Sequence, residues 1–133
     1  MSEVATLARR STPASTPQSA GRILIIDDEA EIRESLETLL QLEGYTVVVA
    51  GSGREGLAQI GQRTFDVVLL DLALPDKNGM DVLSEIRLLH AQQAVIMITA
   101  YGTVENAVRA MQFGATNFIQ KPWDNEKLLA DVR

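Results

Sequence analysis

The stretch ILIIDDE, residues 23–29, sets four bulky apolar side chains directly before three carboxylates. The apolar run is continuous rather than alternating, which is the pattern of a parallel strand buried on both faces. The acids after it are harder to place. Two like charges about 4 Å apart repel by about 1 kcal/mol in water and by about 4 kcal/mol at an effective dielectric near 20. A chain that crowds acids at the end of a buried strand needs a positive partner there.

Runs of the same kind recur outward from this stretch. YTVVV (45–49), VVLL (67–70), VIMI (95–98) and, less sharply, TNFI (116–119) read as strands. Helical patterns separate them. Ile32, Leu36, Leu39 and Leu40 form a one-sided stripe, as do Leu57 with Ile60, Leu83 with Ile86, and Val104 with Val108 and Met111. SGRE (52–55) fits a capping box, Gly114 fits the C-terminal stop of the fourth helix, and Asp124 fits the cap of the fifth, with Trp123 stapled onto Leu128. Strand followed by helix, five times, is an α/β (βα)5 doubly wound parallel sheet. Ligands of such sheets bind beyond the carboxyl ends of the strands, near the topological switch point.

Composition narrows the function classes. A chain of 133 residues holds one ordinary domain, and its 46% hydrophobic content supports a real core. No window approaches the roughly eighteen apolar residues of a membrane span, so no membrane association is expected. Cysteine is absent, which excludes disulfides and thiolate metal sites and fits a reducing cytoplasm. Residues 1–22 carry +2 (Arg9, Arg10 and Arg22 against Glu3), so the rest carries −8 of a net −6. An acidic body argues against direct nucleic-acid binding, because phosphate backbones are gripped by Lys and Arg. The segment STPASTPQSAG (11–21) lacks hydrophobic periodicity, and residues 1–21 are expected to form a disordered extension preceding a domain at 22–133.

The strand ends carry the chemistry. The first ends in Asp27 and Asp28, the third in Asp71, the fourth in Thr99, and the fifth in Lys121 followed by Pro122. In the strand order 2-1-3-4-5 the first and third strands are neighbours about 4.8 Å apart, whereas 3-2-1-4-5 puts the second strand between them. Only the former gathers Asp27, Asp28 and Asp71. Carboxylates without cysteine or a nearby histidine make a hard oxygen site suited to Mg²⁺, which keeps waters and is completed by phosphate oxygens. Glu29 reads as the first exposed turn of the helix rather than a ligand. A carboxylate can attack phosphorus, and Asp71, on the more central strand, is the candidate nucleophile. Lys121 and Thr99 would neutralise and position the phosphoryl group.

Together, ILIIDDE, DVVLLDLALPDKNGMDVL, VIMITAYG and GATNFIQKPW resemble the receiver domains of two-component response regulators, over residues 22–133. That family has a flavodoxin-like (βα)5 fold. The resemblance implies phosphorylation of Asp71 by a histidine kinase. It also implies Mg²⁺ held by Asp28, Asp71 and the backbone carbonyl of Ala73, with Asp27 acting through water. Thr99 would be the switch hydroxyl, Phe118 the aromatic switch and Lys121 the phosphate-pairing ammonium, its bond to Pro122 usually cis. Small Ala100 would leave room for phosphate, and Tyr101 would flank the site. TAYGTVENAVRAMQFGATNFIQKPWDNEKLL is most similar to receivers of sigma-54-dependent transcriptional activators. The first helix and the loop after the fifth strand are where the family docks its kinase.

The expected function is a phosphorylation-operated switch in the cytoplasm, not a turnover enzyme. Phosphate on Asp71 would draw Thr99 and Lys121 inward, let Phe118 rotate, and remodel the face of the fourth helix, fifth strand and fifth helix for an output module, a partner or a second copy. An Mg²⁺-dependent phosphatase or phosphotransferase with the same aspartyl chemistry is the enzymatic alternative. A flavodoxin-like nucleotide or flavin binder is a third, disfavoured because DDEAEI repels phosphate unless a metal intervenes. Taken singly, the residues have plainer readings: Asp28 as N-cap of the first helix with Glu31 as its capping partner, Asp71 before an ordinary turn, Thr99 and Lys121 as strand-end and surface residues, and Phe118 as core. His90 is expected on the surface.

Overall fold

The computed structural model describes residues 20–133. In chain order the elements are β1 (Arg22–Ile26), α1 (Ala30–Leu42), β2 (Thr46–Ala50), α2 (Gly53–Gln62), β3 (Val67–Asp71), α3 (Gly79–Leu89), β4 (Ala94–Thr99), α4 (Val104–Gln112), β5 (Asn117–Gln120) and α5 (Asn125–Val132). The strands form one parallel sheet in the order β2-β1-β3-β4-β5, the order that the acid spacing demanded. The extension expected at 1–21 lies outside the described residues as far as residue 19. Ala20, near its end, donates its N–H to the Gly44 carbonyl, and the Gly21 carbonyl accepts from Thr46.

Each apolar run is divided by the two-residue period of a strand. Leu24 and Ile26 of β1, Val68 and Leu70 of β3, and Val95 and Met97 of β4 pack with Ile60, Met80, Val82, Leu83, Ile86 and Ala110 on the face covered by α2, α3 and α4. Ile23 and Ile25, Val67 and Leu69, and Ile96 and Ile98 pack with Leu36, Leu40, Leu128, Leu129 and Val132 beneath α1 and α5. Both faces are therefore dry, which is why the runs do not alternate. Each fully buried Leu or Ile contributes about 1.5–3 kcal/mol, so the strands are anchored from both faces.

The helix termini follow local chemistry. Ser52 Oγ accepts from Glu55 N–H at α2, and Asp124 accepts from Glu126 and Lys127 at α5. The Glu55 carboxylate reaches back to Gly51 N–H rather than to Ser52, a variant of the expected box. Gly114 adopts φ +100 just past α4, the left-handed conformation that glycine takes without steric cost. Arg87 of α3 donates through Nε to the Gly114 carbonyl at 3.0 Å and also reaches the Gln93 carbonyl, tying α3 to the turns on either side of β4 and α4. The N-cap of α1 is Glu29, without a side-chain cap bond, so the capping reading of Asp28 is not realised.

One helix departs from the expected pattern. The stripe of Val104, Val108 and Met111 is 82%, 49% and 50% exposed, whereas Ala110 is fully buried. A methyl lets α4 lie close to the sheet, and the larger side chains then point outward. Among the described residues no helix is long and apolar enough to cross a membrane.

Gly79, the first residue of α3, is pressed against the end of β3. A Cβ there would fall 2.6 Å from Leu72 Cα and closer still to the Asp71 carbonyl oxygen. Backbone cannot yield as a side-chain tip does, so Gly79→Ala is expected to destabilise the fold by about 1–3 kcal/mol, read as a lower urea midpoint by circular dichroism.

Candidate functional site

Strand register assembles the site. Ile26 of β1 pairs with Leu70 of β3, so the next residues, Asp27 and Asp71, emerge side by side. Asp71 pairs with Ile98, which puts Thr99 one step beyond it on β4, and Thr99 pairs with Gln120, just before Lys121. The Lys121 N–H donates to the Thr99 carbonyl at 2.8 Å, extending the ladder to the lysine itself. Asp27 and Asp71 are 2% and 4% exposed, and Thr99 is fully buried.

Lys121 Nζ stands among the acids, 2.8 Å from Asp27 Oδ2, 3.0 Å from Glu29 Oε1 and 3.5 Å from Asp71 Oδ2. Burial opposes its charge, but the hydrogen bonds of Asp27 and Glu29 and the pull of Asp71 and Asp27 outweigh that and hold its pKa above the ordinary lysine value. Asp71 is pushed the other way. Burial first, and repulsion from Asp27 second, raise its carboxyl to about 6, against the lowering influence of Lys121 and the Ala73 N–H. The remaining contacts fix geometry: Glu29 N–H donates to Asp27 Oδ1 at 2.9 Å, Arg33 Nη1 to the Asp27 carbonyl at 2.7 Å, and Ala73 N–H to Asp71 Oδ1 at 3.3 Å.

A divalent ion suits this donor set. One carboxylate oxygen each from Asp27, Asp28 and Asp71 lies within 4.8 Å of the others. The Lys121 ammonium pairs with Asp27, Glu29 and Asp71, Asp28 adds a further carboxylate, and Arg33 reaches the Asp27 backbone carbonyl. A hard cation with oxygen preference answers the remaining negative charge. Asp28 is exposed, at the mouth of a cleft of about 260 Å³ that it shares with Glu29, Asp71, Ala73, Ala100, Tyr101 and Lys121.

The other expected residues fall around this cleft. Thr99 Oγ1 accepts from Tyr101 N–H at 3.0 Å, and the Tyr101 side chain is exposed. Phe118 is half-buried against the core beside its register partner Met97. The bond between Lys121 and Pro122 is cis. His90 is exposed at the C-terminal end of α3, as expected. Glu29 is exposed at the N-cap of α1 and outside the acid cluster, in keeping with its reading as the helix start rather than a ligand, and it also pairs with a lysine 92 positions away. The signal was its place as third acid in DDE, but the pairing needs the β1 and β5 ends to converge on one edge.

A family profile described as the response regulator receiver domain matches residues 23–133. The transcriptional regulatory protein CpxR of Klebsiella pneumoniae is 39% identical over 112 residues, 84% of this chain and 47% of that protein. The chain spans half or less of the length of curated relatives that it matches. A receiver domain protein (CheY-like) from Methanospirillum hungatei superposes with a TM-score of 0.82 at 38% identity, over 86% of this chain and 91% of that one. A CheX–CheY–BeF3–Mg²⁺ complex from Borrelia burgdorferi aligns with a TM-score of 0.80 at 31% identity, covering 84% and 85%. A sheet order, an acid cluster and a sequence match that run the length of the described domain agree on one lineage: the chain belongs to the response regulator receiver domain family.

Proposed function

We propose that this domain takes a phosphoryl group onto Asp71 from a phosphohistidine of a histidine kinase and thereby switches an output module, a transcriptional one in keeping with its relatives. The observation that carries the reading is the burial of Asp71 at the end of β3 with Asp27 and Lys121 beside it and an open cleft in front. A carboxylate oxygen of Asp71 forms the P–O bond as the donor P–N bond breaks, and the electron pair returns to the imidazole nitrogen. Asp28, Asp71 and the Ala73 carbonyl would hold Mg²⁺, with Asp27 reaching it through water, and the ion would neutralise charge on the phosphoryl oxygens. Lys121 pairs with one of those oxygens, giving up part of its hold on Glu29. Thr99 releases the Tyr101 N–H to donate its hydroxyl to another, and Phe118 follows into the space vacated.

The domain acts as a switch, not a turnover enzyme, and small Ala100 beside Asp71 leaves the phosphoryl group room in the cleft. The outward apolar stripe of α4, with β5 and α5, is the surface offered to a partner or a second copy. The net charge of −6 speaks against direct nucleic-acid binding, and the reaction assigns the domain to the cytoplasm with its kinase.

Two measurements test this reading. Incubation with Mg²⁺ and acetyl phosphate should add one phosphate by intact-mass spectrometry, and Asp71→Asn should abolish the adduct. Labelling that persists in Asp71→Asn rules out the assignment of the nucleophile.

The second uses the raised carboxyl of Asp71. Below about pH 4 it is protonated folded and unfolded alike. As pH climbs to about 6 the unfolded chain ionises first, and stability is lost until the folded group ionises too. Without metal, Asp71→Asn should therefore melt at a higher temperature than the parent at pH 7.5, with the gap closing towards pH 4. Mg²⁺ should narrow the gap at pH 7.5 by stabilising the parent; a gap independent of pH counts against the charge argument.

A further inference from the structure

The segment 72–78 leaves β3 at Asp71 and returns to start α3. Its arms are held together: Ala73 and Asn78 form an isolated antiparallel bridge, and Gly79 N–H donates to the Leu72 carbonyl at 2.8 Å. Asp76, at the tip, reaches across to a different helix. Its Oδ1 accepts from Gly53 N–H at 2.9 Å and its Oδ2 from Arg54 N–H at 3.0 Å. The first N–H groups of α2, which have no partners within the helix, are thus shared out: two to Asp76 and the third, of Glu55, to Ser52 Oγ. These bonds hold the Asp76 carboxyl below its ordinary range, so it is anionic at the positive end of the helix throughout the neutral range.

Helix α2 is in turn fixed to the strand that carries the first two acids. A Cβ at Gly56 would fall 2.7 Å from Ile26 Cγ1 and closer still to its Cδ1, so the absent side chain lets α2 close onto Ile26, the residue before Asp27. A continuous path results, from Asp27 through Ile26, Gly56 and the start of α2 to Asp76, and from there along the tip of the segment to Ala73. The neighbouring Lys77–Glu85 pair, 2.7 Å apart but partly exposed on both sides, is a weak substitute for this anchor.

We propose that Asp76 is a positioning residue for metal and phosphoryl binding: by tying the tip of segment 72–78 to α2, it holds the Ala73 carbonyl in register with Asp27 and Asp28. The inference rests on the Mg²⁺ site described under the proposed function. Asp76 touches neither the metal nor phosphate and acts through the backbone of its segment.

The experiment compares Asp76→Ala with Ser52→Ala, which removes a cap from the same helix without touching the segment. Mg²⁺ affinity by calorimetry and amide hydrogen exchange of the metal-free protein are both read. Asp76→Ala should weaken Mg²⁺ binding by about tenfold, the loss usual when a residue supporting a metal ligand is removed. It should also speed exchange at Gly79 and Ala73. Asp76→Asn keeps an accepting oxygen and should recover most of the affinity, and Ser52→Ala should bind Mg²⁺ like the parent. Equal Mg²⁺ affinities for Asp76→Ala and Ser52→Ala overturn the proposal while leaving the functional reading intact. A parent protein that takes up no Mg²⁺ overturns the functional reading and this inference with it.

Discussion

Two buried carboxylates side by side, Asp27 and Asp71, are the constraint around which the rest of this domain is arranged. Side by side the two repel, and Lys121, from the far edge strand, brings its ammonium to both. That supply works only if β1, β3, β4 and β5 end at the same level and lie in that lateral order. The hydrophobic sheet is thus the device that makes the electrostatics tolerable. Lys121 pairs with Asp27, Glu29 and Asp71, and with Asp28 beside them the acid cluster keeps a donor set suited to a hard cation.

The fold was legible because its signals are local. Continuous apolar runs follow from two dry faces, and Ser52, Gly114 and Asp124 mark helix ends by chemistry confined to a few residues. Asp27, Asp28, Asp71, Thr99 and Lys121 were legible for a related reason: a parallel sheet delivers whatever follows its strands to one edge. What the sequence hid depends on where side chains go once elements have packed. Glu29 bonds a lysine from the opposite end of the chain, and Asp76 caps a helix that precedes it by more than a strand. Neither has a spacing rule. The α4 stripe was legible as a stripe, but its direction was not, because periodicity reports which residues share a side and Ala110 decides which side is seated.

The site shows how a rigid frame and a few adjustable contacts coexist. Asp71 is fixed by β3 and by the Ala73 N–H, with Gly79 seated closely behind it. Lys121 and Thr99 have alternative bonds to exchange, Lys121 between carboxylates and Thr99 with the Tyr101 amide. Exchange of these polar contacts costs a difference between hydrogen bonds rather than a loss of buried area.

The seating of α4 through Ala110 has an evolutionary consequence. Substitutions at exposed positions commonly change stability by no more than about 0.5 kcal/mol, so Val104, Val108 and Met111 can drift almost freely without endangering the fold. The strand ends enjoy no such latitude. Variation on the outward surface is thereby compatible with an unchanged sheet beneath it.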